Sequence, residues 1–153
     1  MKKYWIYIIG VCFIIIQLSG CSTVNRNENS LLSQTDPEPI AVKDEDIEKV
    51  KKIKDTVLSF DEIYETAVVL GKEDCLVAIK VHHLKRFRMK AIEKKLKKKL
   101  KEQFPKDKFT VSSDYKIFLE SVRLKNRVEQ ENWSEEQKEK RLQEIIKLSQ
   151  EQT

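Results

Sequence analysis

The sequence predicts an α+β fold: a small mixed three-stranded sheet with helices on one face, ordered α-β-β-α-β, followed by C-terminal helices. Three observations predict it. Cys75, Val77, Ile79 and Val81 alternate with Leu76, Ala78, Lys80 and His82, the period-two pattern of a strand. Met89, Ile92, Leu96 and Leu100 recur at spacings of three, four and four, one apolar stripe of a helix. β-branched and aromatic residues cluster before the Gly71 turn and again after Pro105.

The elements follow in chain order. Asp44-Glu45-Asp46 suits the positive end of a helix, and Ile47, Val50, Ile53 and Val57 carry its apolar spacing, so a helix is expected from about Asp46 to Leu58. Ile63–Leu70 is β-rich, with apolar residues on both faces. Gly71-Lys72-Glu73-Asp74 reads as the turn of a hairpin leading into Cys75–Val81. A long helix is expected from Leu84 to Phe104, about 30 Å at ~1.5 Å per residue, and Pro105 ends it. Lys108–Ser112 is a short third strand, parallel to the second because a helix crosses between them.

Ser113 or Asp114 can cap the next helix, Tyr115 to about Val128, which turns Phe118, Leu119 and Val122 inward. A last polar helix follows, opened by the capping box Ser134-x-x-Gln137, with Leu142, Ile145, Ile146 and Leu148 on a thin apolar side. Two helices on one face of the sheet are the economical way to cover these stripes.

The first 20 residues have a different character. Lys2 and Lys3 precede an apolar run from Tyr4 to Ile16, then Leu18-Ser19-Gly20-Cys21. A basic start, a short apolar segment and small residues before a cleavage point mark an exported leader. The run of 13 residues is short of the ~20 needed to span a bilayer. Leu18-Ser19-Gly20-Cys21 resembles the lipobox of bacterial lipoproteins. The resemblance implies a diacylglyceryl group on the Cys21 thiol, cleavage before Cys21 and acylation of the new amino group.

The expected organisation is then a leader over residues 1–20 and a lipidated Cys21 with a flexible tether over 21–43. A domain over 44–128 and a polar helix over 129–153 complete it. The tether is rich in Asn, Ser, Thr, Gln and charge, and Asp36-Pro37-Glu38-Pro39 opposes regular structure. Its mean reach is ~25 Å. Loss of Lys2 and Lys3 lowers the formal charge from +5 to +3. Cys12 leaves with the leader and Cys21 carries lipid, so Cys75 stands alone and no internal disulfide is expected. Cys75 reads as a small buried apolar residue.

Four features in order resemble the YhcN/YlaJ sporulation lipoprotein family of spore-forming Firmicutes. They are the lipobox, the polar linker, the strand segment Leu76-Val77-Ala78-Ile79-Lys80-Val81, and the basic helix leading to Phe109-Thr110-Val111-Ser112-Ser113-Asp114. The resemblance covers about residues 1 to 128; Tyr115 stands where the family commonly has a proline. The element order also resembles BON domains and the ring-building modules of secretion and sporulation complexes. Membership implies a non-enzymatic protein lipid-anchored outside the cytoplasm, at the cell membrane or at a forespore or spore membrane, with a role in spore assembly or germination. It carries over no catalytic residue and no cofactor.

Candidate chemistry beyond the lipid is sparse. His82 and His83 are adjacent on an expected strand, point to opposite faces and make a poor chelating pair. The glycines are Gly10, Gly20 and Gly71, so there is no glycine-rich phosphate loop, and no serine lies in a nucleophile elbow. The basic stretch is the strongest signal. Residues 80–108 hold 13 Lys and Arg against Glu93, Glu102 and Asp107. Arg86, Lys90, Lys94, Lys97, Lys98 and Lys101 are expected on one side of the long helix, facing anionic lipid or polymer; the bland alternative is a solvated surface. Nucleic acid is not an expected partner of an exported domain with few interleaved aromatics. The expected partners are the bilayer, through Cys21, and an envelope or spore protein. The rival classes are an oligomerising scaffold or ring subunit, and an accessory enzyme or metal-binding protein.

Overall fold

A computed structural model describes residues 37–151. Cys21, the lipobox and the first part of the tether lie outside the described residues. The strands are β1 (Ile40–Ala41), β2 (Ile63–Leu70), β3 (Asp74–Val81) and β4 (Lys108–Ser112). The helices are α1 (Ile47–Leu58), α2 (Met89–Gln103), α3 (Tyr115–Glu131) and α4 (Glu135–Glu151), with 3-10 segments at Asp44–Asp46 and His83–Arg88.

The sheet runs β1-β2-β3-β4. β2 and β3 form the expected antiparallel hairpin, and β3 and β4 the expected parallel pair. A fourth strand joins them: β1 pairs parallel with the end of β2, Ile40 opposite Val69 and Ala41 opposite Leu70. This corrects the expected three strands and shortens the tether. Val42 donates its N–H to the Leu70 carbonyl at 2.8 Å and is fully buried, and Lys54 Nζ reaches back to the Pro37 carbonyl at 3.1 Å. Two residues cannot show a period, and the prolines that suggested a linker are tolerated at a sheet edge.

The sheet is covered on both faces, not one. α1 and α2 pack on the face of Val68, Leu70, Cys75, Val77, Ile79 and Phe109. α3 and α4 pack on the other, where Ile117, Phe118, Val122, Leu142 and Ile145 meet Ala67, Val69, Leu76 and Ala78. The reason lies in the strands. Leu76 and Ala78, which alternate with the larger set in β3, are themselves apolar, and a strand apolar on both sides needs two layers of cover. Leu119, expected inward, is only half-buried; Ile117 and Leu124 take the core positions.

Local signals place the ends. Asp114 Oδ1 accepts the N–H groups of Lys116 and Ile117 at 2.7 and 3.2 Å, capping α3. Asn132 closes α3 in the left-handed region at φ 52°. The capping box opens α4: Ser134 N–H donates to Gln137 Oε1 at 2.9 Å, and Gln137 N–H to Ser134 Oγ at 3.3 Å. The start of α2 differs from expectation. Residues 83–88 wind as a 3-10 segment, no side chain caps α2, and the α-helix begins at Met89.

Candidate functional site

The core commits one side of α2. Ile92, Leu96 and Leu100 are buried against the sheet, and Met89 is half-buried beside them. At 3.6 residues per turn, Lys90, Lys94, Lys97, Lys98 and Lys101 then share an arc of roughly 100° on the opposite side. All five are exposed. Lys90 lies 3.3 Å from Glu93, and Lys98 3.9 Å from Glu102, surface pairs that leave both cations in water. Lys94, Lys97 and Lys101 enter no ion pair among the described residues.

Glu93 is turned to another use: it accepts the Ser113 N–H at 2.6 Å, tying α2 to the corner between β4 and α3. Lys108 is likewise removed from the face, donating to Glu73 at 2.9 Å. That bond and the opposite charge hold the Lys108 ammonium above its ordinary range and the Glu73 carboxyl below its own.

The structure therefore brings together five of the six expected cations. Arg86 belongs to the 3-10 segment instead and lines a cavity of about 580 Å³ together with Lys80, Tyr64, Met89 and Tyr115. This cavity opens where β4 stops: Ser112 is opposite Ala78, so Ile79–Val81 of β3 run on without a β4 neighbour. Lys80 is neutralised there, bonded to Glu65 at 2.7 Å and set 4.2 Å from the Phe118 ring. Arg86 enters no ion pair among the described residues.

Sequence reasoning missed the exposed apolar pair beside this face. Leu84 is 77% exposed and Phe87 84%, well above any other large apolar side chain described. Both had been absorbed into a longer expected helix. A signal was present: continuing the apolar stripe of α2 upstream lands on Lys85, while Leu84 and Phe87 fall off it.

Elsewhere the chemistry is muted. Among the described residues no three His, Cys, Asp or Glu side chains gather where a metal ion could be held. His82 stacks at a tilt on Tyr64, ring centroids 5.2 Å apart. Cys75 is fully buried, and burial, with smaller contributions from the Asp107 and Asp74 charges, pushes its thiol pKa far up. No described helix is long and apolar enough to cross a membrane. Comparison with protein-family models, with curated proteins and with solved structures found no match.

Proposed function

We propose that this chain is a non-enzymatic lipoprotein, held at the outer side of the cell membrane by a diacylglyceryl group on Cys21, that serves as an interaction module in the envelope of a developing spore. The observation that carries the anchor is the order Lys2-Lys3, the apolar run Tyr4–Ile16 and Leu18-Ser19-Gly20-Cys21. The spore assignment rests on the YhcN/YlaJ resemblance. The lysine face of α2 supports a membrane-side role, since a tether of this kind keeps the domain within its reach of anionic headgroups.

Metabolic labelling with a palmitate analogue tests the anchor. The chain should take up label and its Cys21→Ala variant should not; equal labelling of the two sinks the reading. Expression confined to sporulation is expected, and expression throughout vegetative growth would remove the spore assignment.

A further inference from the structure

We propose that the 3-10 segment His83–Arg88 is a membrane-inserting turn, placing Leu84 and Phe87 into the interface of an anionic bilayer while flanking cations hold the headgroups. This deepens the membrane-surface reading above and rests on it.

The winding of the segment carries the inference. A 3-10 helix has three residues per turn, so residues three apart eclipse one another. Leu84 and Phe87 therefore form one ridge, Lys85 and Arg88 the second, His83 and Arg86 the third. The apolar ridge is flanked by cations on both sides. No acidic residue occurs between Val81 and Ala91. Winding at about 120° per residue to Met89 and about 100° after it puts Leu84 and Phe87 in line with Lys90, Lys94 and Lys101. The same winding sends Arg86 toward Met89 and Lys85 toward Lys95. Those pairs line two separate cavities in the structure.

One face thus presents an apolar tip followed by a lysine stripe about 17 Å long, from Lys90 to Lys101. Exposed Leu and Phe need an apolar partner, and the surrounding cations need an anionic one. A bilayer interface with anionic lipid offers both at one depth, with the lysine stems lying along the boundary. A protein partner fits less well: Phe offers about 150–250 Å² and Leu less, well under the roughly 800 Å² per side of a stable interface.

Hydrogen exchange read by mass spectrometry on the full chain tests this. Vesicles of phosphatidylcholine with phosphatidylglycerol are compared with phosphatidylcholine alone. Peptides spanning 83–88 should exchange at least about tenfold more slowly on the anionic vesicles. The double variant Leu84→Ser, Phe87→Ser should lose that protection while keeping its unfolding midpoint, because both side chains are exposed. Cosedimentation with anionic vesicles but unprotected 83–88 overturns the insertion and leaves the lipid anchor standing. Failure to cosediment at all overturns the membrane reading as well. Equal protection on both vesicle types overturns the anionic requirement. Protection that grows with protein concentration without vesicles makes the turn a contact between copies and overturns the proposal.

Discussion

Lys80 Nζ donates to Glu65 Oε2 at 2.7 Å, joining residues directly opposite each other on β3 and β2, on the face that α3 covers. The Glu65 side chain is 5% exposed and that of Lys80 17%. The second oxygen of Glu65 is buried without a hydrogen-bond partner. Two charges have been taken out of water here, and their attraction must offset that cost. Lys80→Met should therefore destabilise by roughly 3–5 kcal/mol, because it strands the Glu65 charge. Adding Glu65→Leu should restore stability to the wild-type level or above. Urea unfolding of the single and double variants measures both. A double variant as unstable as the single one would show that packing, not the stranded charge, is what was lost.

Leu96 is fully buried at the centre of the α2 stripe, between Ile92 and Leu100. Leu96→Ala should cost roughly 2–5 kcal/mol, a large share of the 5–15 kcal/mol that holds a small domain together. A midpoint shift equivalent to less than about 0.5 kcal/mol would mean that this stripe does not support the fold.

Gly71 is held to its identity by the C-terminal helix. A Cβ there would lie 2.5 Å from Leu142 Cδ2 and 2.7 Å from Glu139 Oε2. α4 rests directly on the hairpin turn: Glu139 Oε2 accepts the Lys72 N–H at 3.0 Å, and Gln143 Nε2 donates to Asp74 at 3.0 Å. Gly71→Ala should destabilise by roughly 1–3 kcal/mol through this overlap. Leu142→Ala should partly relieve it, so the two changes should cost less together than their sum. Strict additivity in a double-mutant cycle would contradict the contact.

These contacts show why some of the fold was legible in the sequence and some was not. β2 and β4 begin and end where the sequence placed them, β3 starts one residue earlier, and the Asp114 and Ser134 caps form as expected. Each signal was local: an alternation, a proline, a capping oxygen on the residue just ahead of a helix. The second helical layer was not local. Ala67 and Ala78 are small and unremarkable in sequence, but they sit under Phe118 and Ile117 only once the hairpin register is set. β1 exists because Val69 and Leu70 offer it an edge, which a two-residue strand cannot announce. The lysine face was readable because charge and stripe share one helix. Leu84 and Phe87 were passed over because hydrophobicity alone suggested burial, although both fall off the α2 stripe, and the 3-10 winding sets them on one exposed ridge.

Cys75 should behave as an inert core residue. Its thiol is fully buried, and burial favours the protonated form over the nucleophilic thiolate. In the folded chain, the peptide carrying Cys75 should resist maleimide at neutral pH, and it should label only across the urea unfolding transition. Labelling at native rates, followed by mass spectrometry so that other cysteines do not interfere, would require an opening that the packed sheet does not offer.

The lysine face gives the most direct test of whether charge is used. Lys94, Lys97, Lys98 and Lys101 are exposed and lie on the side of α2 away from the core. Each basic residue near an anionic surface contributes about 1 kcal/mol, so changing all four to Gln should weaken binding to anionic vesicles by roughly a thousandfold at low salt. Stability should hardly change, since Gln matches Lys in helix propensity and the one surface pair lost, Lys98 with Glu102, is weak. Both proteins should carry Cys21→Ala, so that residues 1–36 contribute equally and the difference reports the face alone. Binding of the chain with its lysines should fall steeply as salt rises, because the attraction is screened over ~10 Å at 0.1 M. The quadruple variant should show a shallower salt dependence, carried by the cations it keeps at Lys85, Arg86, Arg88 and Lys90. Vesicle cosedimentation across a salt series separates the possibilities: matching curves for the two proteins would leave these lysines as a solvated surface.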